Sequence, residues 1–96
     1  MVQVVENKTD LSGAIESRRP HPTLPDYDLL NVRVDAAKPI EGFPNLLSQH
    51  EGKTVELLVK RNLLPQGDLA NRKARTTASV AGPGVVRAGD DVSVQA

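Results

Sequence analysis

Seven prolines and seven glycines cut this 96-residue chain into short pieces. Proline cannot sit inside a helix without losing a hydrogen bond and clashing with the preceding turn. Glycine is the residue of tight turns and bends. Between these breaks, Val and Leu recur at every second position, and β-branched side chains favour strands. Long helices have little room, and the pattern predicts an all-β chain.

The clearest strand covers residues 53–61, entered through Gly52. Val55, Leu57 and Val59 fall on one face at the two-residue period of a pleated strand, with Thr54, Glu56 and Lys60 on the other. Leu58 breaks the alternation and predicts a partly covered second face. Residues 27–37 form the second strong strand, with Leu30, Val32 and Val34 together. Residues 11–19, 72–81, 85–88 and 91–95 read as further strands. Gly13 predicts a bulge or tight bend in the first of these. The face made by Ala74, Thr76, Ala78 and Val80 is small, so a bulky group or a second backbone must pack against it. Residues 1–5 read as an edge strand or a frayed tail, and 7–10 as a turn.

Residues 20–26 hold three prolines and form a stiff, extended loop. Residues 38–44 form a second proline loop. Residues 45–50 predict one or two helical turns, with Leu46, Leu47 and His50 near one side, stopping before Gly52. Leu63, Leu64 and Leu69 lie in a loop and are expected to fold back onto the core. The motif Gly-x-x-Val-x-apolar occurs at Gly52 and again at Gly89, which is too few copies for a repeat.

This inventory predicts a single small domain over residues 1–96, with 1–10 as a flexible or edge-strand N-terminus. The expected fold is all-β with one short helix: a small antiparallel β-barrel, OB-like, or a compact sandwich. The oligonucleotide/oligosaccharide-binding design is the nearest named architecture by strand count and size. Its helix usually lies between the third and fourth strands, whereas the helical segment here precedes the strongest strand. Closure hides strand edges, and an aliphatic chain with one Phe and one Tyr needs that protection.

Twelve basic residues balance twelve acidic ones, so no net field steers the chain toward nucleic acid or an anionic membrane. Cysteine is absent, which removes disulfides and thiolate chemistry. The N-terminus does not read as a signal peptide, and no stretch approaches the ~20 apolar residues of a membrane span. A cytoplasmic protein is expected.

The proline loops are the best candidates for contact with a protein partner. Arg18, Arg19, His21 and Tyr27 flank or line the first, and Ile40, Phe43 and Leu46 the second. Stiff loops lose little entropy on binding, and Arg and Tyr are common interface anchors. The competing view is that Tyr27 and Phe43 plug the barrel ends. An alternative site is a basic strand face of Arg33, Lys60, Arg61, Arg72, Lys73 and Arg75 that contacts phosphates. Against it stand the scarcity of aromatics for base stacking and the acids Glu16, Asp35 and Glu56, which would pair a solvated face. His21 and His50 have no metal-ligand spacing with Asp26, Asp28 or Glu51, so neither metal nor cofactor is expected. The serines sit in no nucleophile elbow, and the pairs Asp26/Asp28 and Asp90/Asp91 read as turn residues. The sequence therefore predicts a non-catalytic binding or assembly module that docks on a protein, with nucleic acid as the alternative ligand. An exposed edge at 1–5 or 91–95 would allow a homodimer.

Overall fold

A computed structural model of the chain describes residues 6–82 and 85–95. The expectations for residues 1–5 lie outside that range. Six strands form: β1 (Thr9–Pro20), β2 (Tyr27–Pro39), β3 (Thr54–Lys60), β4 (Lys73–Gly82), β5 (Val85–Ala88) and β6 (Ser93–Val94). Their order is β1-β2-β3-β5-β4, and β4 pairs back onto β1. The result is a closed five-stranded barrel, with β6 added beside β4.

A closed ring with an odd number of strands cannot alternate direction all the way round. One neighbouring pair must be parallel, and it is β3 with β5, joined at only two residue pairs. The remaining pairs are antiparallel, so the expected antiparallel barrel is corrected at that single seam.

The interior is aliphatic. Leu30, Val32 and Val34 of β2 meet Val55, Leu57 and Val59 of β3, with Leu11 and Ile15 from β1. Leu47 folds in from its connection, and of the loop leucines expected to do so Leu64 and Leu69 are buried while Leu63 is half-buried. Tyr27 and Phe43, the alternative end plugs, are only half-buried.

Closure depends on thin side chains where β1 is sandwiched between two partners. Gly13 lies opposite Val34 of β2 and Ala74 of β4. The β1–β2 register shifts beside it, which is the bulge its glycine predicted. The small face of β4 turns to the barrel interior, where Ala74 and Ala78 join the aliphatic core.

Two local readings are corrected. Residues 7–10 are not a turn, because Thr9 and Asp10 already belong to β1. Before them, the buried Asn7 amide donates to the Val80 carbonyl (3.0 Å) and accepts from the Val80 amide (2.8 Å). A side chain thus imitates one more rung of the β1–β4 ladder. The helical segment shrinks to one 3-10 turn at Ser48–His50. Asn45 Oδ1 accepts from the Leu47 amide at 3.0 Å, and Asn45 Nδ2 donates to the Ala37 carbonyl at 3.0 Å. Leu47 then turns inward while Leu46 stays 45% exposed.

No described helix is long and apolar enough to cross a membrane. The edge expected at 91–95 is reduced to the two residues of β6.

Candidate functional site

The β1–β2 hairpin brings residues from distant parts of the chain to one end of the barrel. Pairing sets Arg18 opposite Leu30, Arg19 opposite Leu29 and Tyr27 opposite Lys60. The chain then leaves β3 through a 3-10 turn at Arg61–Leu63. Arg18 Nε donates to Asp28 Oδ2 at 2.7 Å, and Arg61 Nε donates to Asp28 Oδ1 at 2.9 Å. Asp28 was read as a turn residue, but it lies in β2 with its side chain 5% exposed. Arg18 Nη1 also donates to the carbonyls of Pro65 (2.6 Å) and Gly67 (3.1 Å). One carboxylate and two guanidinium groups thereby clamp the β1, β2 and post-β3 segments together.

The clamp is electrostatically consistent. Burial pushes the Asp28 carboxyl up, but hydrogen bonds and positive charge from Arg18 and Arg61 outweigh it and hold the group below its ordinary range.

The proline loop at 21–26 is organised from within. His21 Nδ1 accepts from the amides of Thr23 (3.1 Å) and Leu24 (3.0 Å), and the Tyr27 amide donates to the Leu24 carbonyl (3.1 Å). His21 therefore shapes the loop, and Leu24 stands 40% exposed at its edge. Beside the loop opens a cleft of about 750 Å³, lined by Arg18, Asp26, Tyr27, Lys60, Arg61 and Gln66 among others.

The second proline loop does not join this site. Thr9 pairs with Pro39 at one end of the β1–β2 ribbon, and Pro20 pairs with Asp28 at the other. At ~3.3 Å per residue the two ends lie on the order of 35 Å apart along the strand. Ile40, Phe43 and Leu46 belong to the far end, where Lys8 Nζ sits 4.6 Å from the Phe43 ring centre.

The proposed basic face is also divided. Lys73 Nζ meets Asp35 Oδ2 at 2.6 Å, and Arg75 grips Asp10 with two bonds of 2.9 and 2.7 Å. Arg61 is engaged with Asp28, and Arg19 with Glu56. Among the described residues, Arg33, Lys60 and Arg72 make no ion pair. Arg33 and Lys60 sit at opposite ends of the β2–β3 pair, opposite Thr54 and Tyr27. Lys73 and Arg75 lie where β4 meets β1. The sequence reading missed Arg87, which the parallel seam sets beside Leu58. Nothing local marks it, because one of its two strand neighbours, Leu58, comes from about thirty residues earlier. Among the described residues no three His, Cys, Asp or Glu side chains gather as a metal cluster.

Asp91 organises the turn before β6. It accepts from the Thr77 amide (2.9 Å), the Thr77 hydroxyl (2.6 Å) and the Thr76 hydroxyl (2.9 Å). Burial pushes its carboxyl up, and the Thr77 and Thr76 hydrogen bonds bring it below its ordinary value. Asp10 is held low chiefly by its hydrogen bond from Arg75, against the upward push of burial. Carboxylates lowered in the folded state stabilise it above their unfolded pKa, about 3.9, and lose that stabilisation as pH falls through the folded value. Urea midpoints should therefore be flat from pH 7 to 5 and fall below about pH 4. Asp91→Asn should flatten part of that fall.

No protein-family model matches the chain, and neither the curated proteins nor the solved structures compared with it give a match.

Proposed function

We propose that the chain is a non-catalytic, cytoplasmic binding and assembly module of OB-like design. It docks on a protein partner through the barrel end at residues 18–27 and 60–67. The observation that carries this reading is the self-fastened 21–26 loop, with Leu24 exposed, beside a cleft lined by the half-buried Tyr27. A loop already folded by its own histidine loses little entropy when it meets a partner. Charge selects the occupant. Arg18, Lys60 and Arg61 face Asp26 and Asp28, three positive groups against two negative. An acidic segment with an apolar side chain complements that balance. The far loop, with Ile40, Phe43 and Leu46, serves a separate contact or none.

The test is NMR titration with short acidic, neutral and basic peptides, each carrying one Leu or Phe. Acidic peptides should shift amides of residues 21–27 and 60–67. Tyr27→Ala and Leu24→Ser should each weaken binding about fivefold or more, as loss of a central anchor does. Equal binding of basic peptides, or shifts confined to the Phe43 end, would overturn the reading.

A second reading, single-strand nucleic-acid binding, is favoured by Arg33 and Lys60, which are free of ion pairs on the outer β2–β3 face among the described residues. It expects a low-salt mobility shift that weakens steeply with salt. The shift should vanish with Arg33→Glu plus Lys60→Glu.

A further inference from the structure

The outer surface across the parallel seam carries a second hollow, which shares Tyr27 and Lys60 with the loop-end cleft and adds Leu58, Ser79 and Arg87. Leu58 of β3 lies opposite Arg87 of β5, and Arg87 lies opposite Ser79 of β4. Lys60 follows Leu58 by two residues, so it shares the same outward face, and it pairs with Tyr27 on its other side. These side chains and the Gly89–Asp90 turn line a concavity of about 320 Å³.

Its cations differ from five others on the barrel. Arg18, Arg19, Arg61, Lys73 and Arg75 are all engaged with carboxylates. Lys60 and Arg87 make no ion pair among the described residues, although both line one hollow. Asp90 is the acid on the same rim. Two positive charges against one negative leave an excess that an anion can neutralise.

We infer that Lys60, Arg87 and Ser79 form a binding site for a phosphoryl group. Arg87 offers a planar fork that matches two phosphate oxygens, Lys60 a compact charge, and Ser79 a hydroxyl donor. A phosphate dianion has three terminal oxygens for these three donors, whereas a carboxylate has two. Tyr27 and Leu58 give the hollow an apolar wall. An organic phosphate can lay a ring or sugar on that wall, where inorganic phosphate leaves it bare.

This inference goes beyond the docking proposal and is tested separately from it. Sodium phosphate and adenosine monophosphate are titrated into the isotope-labelled protein at constant ionic strength, with acetate as the control. The amides of Lys60, Ser79 and Arg87 should shift saturably with phosphate and not with acetate. Lys60→Gln and Arg87→Gln should each weaken binding roughly threefold or more, in the range of an exposed charge contact, and the double variant should abolish it. Asp90→Asn should tighten it. Tighter binding of the nucleotide identifies an organic phosphate as the ligand, and equal binding identifies the free anion. Leu24→Ser should leave phosphate binding unchanged, so failure of the docking reading would not sink this one. Equal response to acetate, shifts that never saturate, or a double variant that still binds would overturn it. Spectral dispersion of each variant confirms that the barrel is intact.

Discussion

Gly13→Ala should lower the melting temperature by roughly 12 °C or more, as a loss of about 3 kcal/mol does in a domain of this size. A Cβ at this position would lie 2.2 Å from the Arg33 carbonyl oxygen and 2.9 Å from Val32 Cγ1. The first contact is with backbone that is itself paired in the sheet, so it cannot swing aside. β1 is held there from both sides, by β2 and by β4. Relief requires opening one of the two seams, and either opening undoes the barrel. Gly67→Ala is the control. Its φ of 95° disfavours a side chain, but nothing lies within 4 Å of the added carbon. That change should cost only about 1 kcal/mol. Thermal unfolding followed by circular dichroism compares them, and equal losses would show that the close approach at Gly13 is not what closes the barrel.

Asp28→Ala should cost about 2–3 kcal/mol at pH 7. Removing one member of a buried ion pair costs about 3–5 kcal/mol, and the lower figure applies here because Arg61 can turn to water. Arg61 is 46% exposed at its side chain, whereas Arg18 is only 15% exposed and would be stranded. Arg18 also anchors the carbonyls of Pro65 and Gly67, so the cleft wall should loosen with it. The double variant Arg18→Ala/Asp28→Ala should lose less than the sum of the single losses, because the stranded charge is gone. The pH dependence has a defined sign. Asp28 is held below its ordinary pKa, so its contribution is complete at neutral pH and disappears as acid protonates the folded carboxylate. The Asp28→Asn variant should therefore show a smaller loss of stability between pH 5 and 2 than the parent. Additive single losses, or an unchanged acid limb, would show that the clamp contributes little.

Much of the barrel was legible in the chain, and the reason is the short range of the signals. The strand at 27–37 was read from Leu30, Val32 and Val34, and β2 carries these three inward. Gly13 was read as a bulge and sits at one. The helical reading at 45–50 rested on Leu46, Leu47 and His50 sharing an apolar side, but Leu46 is exposed, Leu47 is buried, and only one 3-10 turn forms. The candidate sites were legible only in part. His21 was singled out as a contact residue of the first loop, and nothing in the sequence showed that it also fastens that loop from within. The basic residues were grouped by nearness in sequence, and folding hands Arg61, Lys73 and Arg75 to three different acids.

The amino-acid order by itself determined which segments are strands and which of their aliphatic side chains turn inward. Those properties follow from a two-residue period and from the backbone limits of proline and glycine, all of which act within a few residues. Only the tertiary structure decided that the ribbon closes on itself and which seam runs parallel. It also decided that Asp28 is sealed between two arginines and that Arg87 arrives beside Lys60. These outcomes depend on pairing between segments far apart in the chain, where register, strand direction and available space are settled jointly and no local pattern carries them.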